Sequence, residues 1–455
     1  MRPQPGTVCD RWRGAPKPFR RMPSLPRRLL SPTSPLRQNA VALADQGTVS
    51  ATRLLLSVLV GRALGADGLG HYALALTLVY LVEALVETVG TLPYTVLRRR
   101  AETPAAYIGS VLAITGAAGL AVGLAVGVAA ALVSGPLQPV LAVLSLAVVA
   151  RAFAEAARRI AFAHEQVSDA LALDLALAAV VGGGALAAWA QGALTVPLVV
   201  GLYGLGSGLP FLVWLALRRV PVASSWAHLG PDAGRNWRFG RWVLGTRLAL
   251  TARAHGLPWA LVAVAGAAEV GLFDAAGKVV GLAVPVLISV ANVLTPRVAR
   301  ALHERGVAAV RREILRTTAA LVALTTALVL ALTLGADLAL GLLFGPAFEG
   351  QRLLVALLGL GLVIESVGIP ADAGLWAIER PRVGFWIGLG ALAVLAAVSA
   401  WAIPAYGAVG AAGALAAASG TAAGLQLAAF LRLSAQRDIE SSTSTPERRR
   451  AGDAV

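Results

Sequence analysis

Three arginines and a histidine stand inside apolar stretches of this sequence. Arg53 lies in the first stretch, and Arg247, Arg253 and His255 lie in the seventh. A charge at mid-bilayer costs about 2.5–3.5 kcal/mol even on lenient insertion scales, so such groups are expected to face a wet or polar interior. The planar guanidinium fork binds oxyanions bidentately, and a cavity lined with it suits a phosphate or pyrophosphate. Arg247 is near a span end and could instead snorkel to the headgroups; His255 could simply hydrogen-bond between helices. Carboxylates accompany these cations. Glu83 and Glu87, four residues apart on one helix face, could pair with Arg53 or Arg253, or bind a coupling H+ or Na+. Asp174 lies far enough from span ends to need a partner, while Glu365 and Asp372 lie nearer to them. Asp274 and Lys278, one turn apart, read as a local supporting pair.

The elements that must position these groups are membrane helices. The chain is 57% hydrophobic and 14% charged, with mean hydropathy +0.73; a soluble protein would carry about 25% charge. Apolar runs predict twelve spans, at 43–62, 68–95, 106–133, 137–161, 168–190, 193–217, 237–263, 270–296, 314–335, 350–376, 382–403 and 406–432. The fold class is therefore an all-α polytopic membrane protein, with about twelve helices in two pseudo-symmetric six-helix lobes. The lobes take residues 43–220 and 237–432, joined by a cytoplasmic linker at 221–236. A basic tail at 1–42 and a polar tail at 433–455 read as disordered and cytoplasmic. The true start could lie at Met22.

The net charge of +15 does not point to nucleic acid, because the basic residues gather between apolar runs and at the termini. Arg98 to Arg100, Arg158 and Arg159, Arg218 to Arg238, Arg297 to Arg316, and Arg380 with Arg382 mark one side, the opposite turns holding little beyond Arg62 and Arg352. The positive-inside rule puts both termini in the cytoplasm. Cys9 is the only cysteine, which excludes an intrachain disulfide. The five histidines are scattered, and no zinc-protease, phosphate-loop or nucleophile-elbow pattern occurs, so no metal, cofactor or catalytic site is expected.

One short pattern occurs twice. Gly65, Gly70, Tyr72 and Ala75 return as Gly266, Gly271, Phe273 and Ala276, each 201 residues later. Pro93 and Pro296 repeat at nearly the same offset, and Arg53 falls one residue out of register with Arg253. Two related helical bundles around a midplane site are a natural architecture for transport. Gly256, Pro258 and Pro285 are candidate flexing points.

The turns carrying this repeat resemble those of the polysaccharide flippase family, within the multidrug/oligosaccharidyl-lipid/polysaccharide exporter superfamily. The similarity rests on Gly61-Arg62-Ala63-Leu64-Gly65 followed by Gly70 to Ala75, on its counterpart Gly266 to Ala276 with Pro296, on Leu342 to Phe348, and on Pro404 to Ala412. It implies flipping of a polyprenyl-pyrophosphate-linked oligosaccharide across the plasma membrane for cell-surface polysaccharide or lipopolysaccharide biosynthesis. Arg53, Arg247 and Arg253 then hold the pyrophosphate. Partners would be the lipid-linked substrate, membrane lipids, and a glycan polymerase or glycosyltransferases of the same pathway. Peptidoglycan-precursor flippases resemble the chain too, but carry more spans.

Two other classes remain open. A cation-coupled multidrug exporter of the same superfamily would favour acidic cavity residues. A membrane glycosyltransferase or glycan polymerase would need catalytic groups on a substantial outer loop, and no loop here looks long enough.

Overall fold

A computed structural model of the chain describes residues 35–101, 103–217, 222–223 and 226–452. Most of the basic amino-terminal stretch, with Cys9 and Met22, lies outside the described residues, as do Arg218 and Arg219. All regular structure among the described residues is helical. Helix α1, Pro35–Val86, holds the first predicted span and most of the second, and breaks between them at Gly65 (φ 69°, ψ −165°). It passes through a π-turn at Glu87–Thr91 into α2, Leu92–Leu97. Then come α3, Pro104–Leu132, α4, Leu137–Ala163, α5, Val167–Ala190, and α6, Val196–Ala216. Helix α7, Trp226–His255, is parted from α8, Leu257–Ala265, at Gly256. Helices α9, Ala267–Gly281, and α10, Val284–Arg305, meet at a bend of 51°. The chain ends with α11, Val307–Leu334, α12, Ala336–Phe344, α13, Arg352–Ala377, and α14, Pro381–Gly452, which breaks at Gly407 (φ 54°, ψ −130°).

Eight of the described helices are long and apolar enough to cross a membrane, or nine if the bent pair α9–α10 counts as one span. Two are of double length: Ala40–Leu97 has 58 residues and Arg382–Arg437 has 56. At 1.5 Å per residue each measures roughly 85 Å, against about 30 Å of hydrocarbon. The backbone breaks at Gly65 and Gly407 let each turn back on itself. Only glycine adopts such backbone angles without strain. The predicted seventh span is absent from the eight, because Gly256 divides it and α7 carries Arg235, Arg238, Arg247, Arg253 and His255. Length and apolarity thus establish a polytopic helical chain rather than a count of twelve. Within the segment at 221–236 the chain is helical from Trp226 onward, and the last helix runs as far as Gly452. The flexing points anticipated at Gly256 and Pro285 do fall at helix breaks.

The repeated pattern lies where the two halves of the sequence touch. Gly65 and Gly266 (φ 91°, ψ 172°) both take backbone conformations that favour glycine. Just beyond them α1 and α9 cross at backbone contact. A methyl group on Gly70 would overlap the carbonyl oxygen of Ala267, and one on Gly271 would overlap that of Ala66. Ala66 and Ala267 are themselves related by the 201-residue offset, so the contact is reciprocal, as in a two-fold interface. Small residues permit such close helix approach in membranes. The same end is tied further by Arg62, which donates to the carbonyls of Leu342 and Leu343, and by Glu269, which accepts from the backbone N–H of Ala408 at 2.7 Å. At the arginine-rich end α7 crosses to the first half: Tyr107 donates to Asn236 at 2.7 Å, and Gly240 sits against the carbonyl of Thr88 in the π-turn.

Valine at Gly70 or Gly271 should therefore force the crossing apart and destabilise the protein by at least about 1–3 kcal/mol. Gly277→Ala, on the same helix but in open space, should be neutral. Thermal unfolding in detergent, followed by size-exclusion chromatography, separates the three variants.

Candidate functional site

Four arginines and five carboxylates of the first half, with Arg247 of the second, form one connected ion-pair network. Arg53 meets Glu83 at 3.1 Å, and Arg151 meets both Glu83 (2.8 Å) and Glu155 (3.0 Å). Arg159 joins Glu155 at 2.7 Å to Glu87 at 3.4 Å, and Glu87 receives Arg247 at 2.8 Å. Arg158 contacts Asp45 and Asp174, each at 2.7 Å, and Glu155 at 3.6 Å. Five arginines face five carboxylates, so the network is formally neutral. Helix α4 is its spine, since Arg151, Glu155, Arg158 and Arg159 recur every three or four residues along one face. Gly116, Gly119 and Gly123 of α3 let α4 pack closely on its other side. Arginine suits this arrangement because its fork serves two carboxylates at once and its charge persists under burial.

Aromatic rings surround the inner end of the network. The Arg53 guanidinium lies 4.8 Å from the Tyr80 ring centroid, and that of Arg151 lies 5.8 Å from Tyr203. His255 stacks on Tyr80 at 4.5 Å, and Trp259 donates to Thr77 at 2.7 Å, so α7 and α8 reach across to α1. A cavity of about 490 Å³ opens beside the network, lined among others by Gln46, Glu87, Thr91, Arg158 and Arg159.

A larger cavity, about 800 Å³, lies between α7, α13 and α14, with Ala291 of α10 on its wall. Arg253 and Glu365 face each other there at 3.5 Å, and Ser419 donates to Glu365 at 3.3 Å. Asp372 accepts from Trp376 Nε1 at 3.1 Å, and Arg382, Phe385 and Gln426 complete the polar and aromatic lining.

The anticipated cations are thus distributed rather than gathered. Arg253 lines the larger cavity, Arg53 lines neither of these two, and Arg247 bridges α7 to the π-turn. Each faces a carboxylate. Of the anticipated acids, Glu83 does pair with Arg53, while Arg253 is taken by Glu365 instead. Asp174 has the partner it needed in Arg158, and Asp274 and Lys278 pair at 3.3 Å. Asp45, Arg151 and Glu155 were not anticipated as site residues. Their signal was the alternation Arg151, Glu155, Arg158 within an apolar run, which charges confined to a loop would not show.

At the arginine-rich end, His164 follows the last residue of α4 and its Nε2 lies 2.6 Å from the Tyr94 hydroxyl. Burial, with Arg98 nearby, lowers the His164 pKa. A neutral imidazole protonated on Nδ1 would accept a hydrogen bond from the Tyr94 hydroxyl at Nε2.

Two outcomes follow. Removing one member of the buried network, as in Arg151→Ala, should cost about 3–5 kcal/mol, and adding Glu83→Ala should cost less than the sum of the two single changes in a double-mutant cycle. Because the folded His164 pKa is depressed, its contribution is complete above the ordinary imidazole value of about 6.5 and fades as pH falls through the folded value. Mild acid should lower the unfolding midpoint of the wild type more than that of His164→Gln.

No protein-family model matches the chain, and neither does any curated protein sequence. Solved structures do match. The inward-facing form of a multidrug resistance MATE family transporter of the MOP superfamily aligns with TM-score 0.69 at 14% identity, covering 85% of this chain and 94% of that one. The lipid II flippase MurJ in an inward closed conformation aligns at 0.68 and 13% identity, over 88% and 91% of the two chains. An outward-facing MATE structure aligns at 0.54 and 13%, over 90% and 98%. Similarity over nearly the full length of each chain shows that this polytopic helical protein has the fold of the MOP-superfamily transporters.

Proposed function

We propose that the chain is a secondary transporter, not an enzyme, that exports an amphipathic solute and draws on a cation gradient. The observation that carries this reading is the 800 Å³ cavity with balanced charge and aromatic walls: Arg253 and Arg382 against Glu365 and Asp372, with Trp376 and Phe385 beside them. Such a lining receives a molecule with an apolar body and a charged tip. The arginine network favours the same view, because its carboxylates already occupy the guanidinium groups that a pyrophosphate would need. In this reading the chain forms two six-helix lobes, 43–220 and 237–432, in the plasma membrane with both termini cytoplasmic. The closer fit to inward-facing than to outward-facing relatives agrees with a state sealed at the Gly70–Gly271 end. The lobes would rock about that crossing to present the cavity alternately to each side.

A second reading keeps the polyprenyl-pyrophosphate-linked oligosaccharide as substrate, together with glycan-assembly enzymes as partners. Arg253 in the cavity wall and the MurJ-like fold favour it.

The two readings separate in reconstituted vesicles. For an exporter of amphipathic cations, Glu365→Gln with Asp372→Asn should slow ethidium transport roughly tenfold or more, equivalent to about 1.4 kcal/mol or more. For a lipid-linked glycan flippase, Arg253→Ala should abolish transfer of a fluorescent polyprenyl-pyrophosphate glycan, and wild-type protein should not move ethidium.

A further inference from the structure

The connections at the glycine end are unequal in the two halves. Between α3 and α4 the chain turns within residues 133–136, whereas between α11 and α13 it uses residues 335–351 and folds α12 among them. Residues 133–136 hold no such helix, so α12 is an addition that the 201-residue repeat does not require. It is well fixed to its own half. Asp337 at its start accepts from the backbone N–H of Gly350 at 3.0 Å and from Arg352 at 3.2 Å. Gly345 (φ 105°) and Gly350 (φ 82°) turn the chain back toward α13.

The far end of α12 rests on the other half. A helix leaves its last four carbonyls without partners of its own. The N–H of Gly345 returns to Leu340 and Gly341, and the next two carbonyls, of Leu342 and Leu343, are taken by Arg62 of α1, its Nε donating to Leu343 at 2.8 Å. The negative end of the helix dipole favours a cation there. Among the described residues Arg62 pairs with no carboxylate, unlike Arg53, Arg247 and Arg253. One residue earlier, Gly61 makes room for Phe344. A methyl group on Gly61 would press into that ring, which is buried against Phe348 with centroids 5.3 Å apart. Gly61-Arg62 and the stretch Leu342 to Phe348 are thus the two faces of one contact between the halves.

The rings hold this contact by shape, while its polar part is exchangeable. Arg62 is exposed, and carbonyls at a wet helix end can trade a guanidinium for water at modest cost. A buried ion pair has no such freedom.

We infer that α12 is a latch reaching from the second half onto the first, with Arg62 as its catch: it holds the glycine end shut in this state, and that end opens only when the catch lets go. This rests on the transporter reading above. The Gly70–Gly271 crossing is held by shape alone and can serve as a pivot in every state. A contact beside it that includes exchangeable hydrogen bonds can be made in one state and broken in the next.

The test follows both ends of full-length protein in lipid vesicles through distances between paired spin labels. Cys9→Ser removes the single native cysteine. Ser134→Cys with Ala405→Cys spans the glycine end, and Ser168→Cys with Ala308→Cys spans the arginine-rich end, each pair joining the two halves at exposed positions. Arg62→Ala should add a longer-distance population at the glycine end and a shorter one at the arginine-rich end. Gly61→Val, which unseats Phe344 and leaves the arginine in place, should do the same. Arg62→Lys, which can still donate to the carbonyls, should stay near wild type. Wild-type distances at both ends in Arg62→Ala or in Gly61→Val overturn the inference. So does lengthening at the glycine end without shortening at the other, which marks local loosening rather than release. The labels report the two ends whatever the cargo. If wild-type protein moves neither ethidium nor the lipid-linked glycan, the transporter reading fails, and the latch is still judged by these distances.

Discussion

A charge buried in hydrocarbon has to be met by an opposite charge, and the first half of this chain is organised around that requirement. Arg151 and Glu155 are almost fully buried, and so are Asp45 and Asp174. Desolvation would cost several kcal/mol for each ion, so none of these groups is tolerable alone. Because Arg151, Arg158 and Arg159 each reach two or three carboxylates, the cost is shared across α1, α4, α5 and α7. The network therefore fixes how these helices sit relative to one another, and it does so with directional contacts that an apolar helix surface in lipid lacks. One of its members, Arg247, belongs to the second half of the sequence. That single contact makes the electrostatics of the first half sensitive to the position of α7.

The two ends of the molecule are held by different physics. At one end the halves touch backbone to backbone through Gly70 and Gly271, a contact made of dispersion and shape that leaves no room for a side chain. At the other, α7 is held to the first half by polar groups: Asn236 against Tyr107 and Arg247 against Glu87. Polar contacts can be exchanged for water at modest cost, while a close-packed crossing has no such substitute. The polar end should therefore open more readily than the glycine end. The cavity in the second half, bounded by α7 on one side, would feel that motion directly.

Much of this was legible in the residues. The 201-residue repeat marks the α1–α9 crossing because only glycine serves both the left-handed breaks and the close approach. Glu83 was legible as a partner for Arg53 or for Arg253, and the fold gives it to Arg53. The spine on α4 was harder to see. Arginines near an apolar run are ordinarily the signature of a cytoplasmic turn, and the partners of Arg158 and Arg151 lie 113 and 68 residues away in the chain. Gly65 reads as a turn between two spans, yet the helices on either side of it follow with almost no interruption, and the second long helix breaks at Gly407, just inside the span expected at 406–432. The separation of Arg53 from Arg253 was not legible at all, since a shared offset sets depth along a helix and not the direction a side chain takes.

The π-turn at Glu87–Thr91 has a mechanical consequence. Its wider coil sets the Thr88 carbonyl opposite Gly240, a bare oxygen facing a residue with no side chain. No side chain fits in that gap, so α7 can lie against the turn only while residue 240 is glycine. Asn236 before it and Arg247 after it pin the helix on either side, so the spacing between the two halves at this end is set by one bare backbone contact between two polar ties.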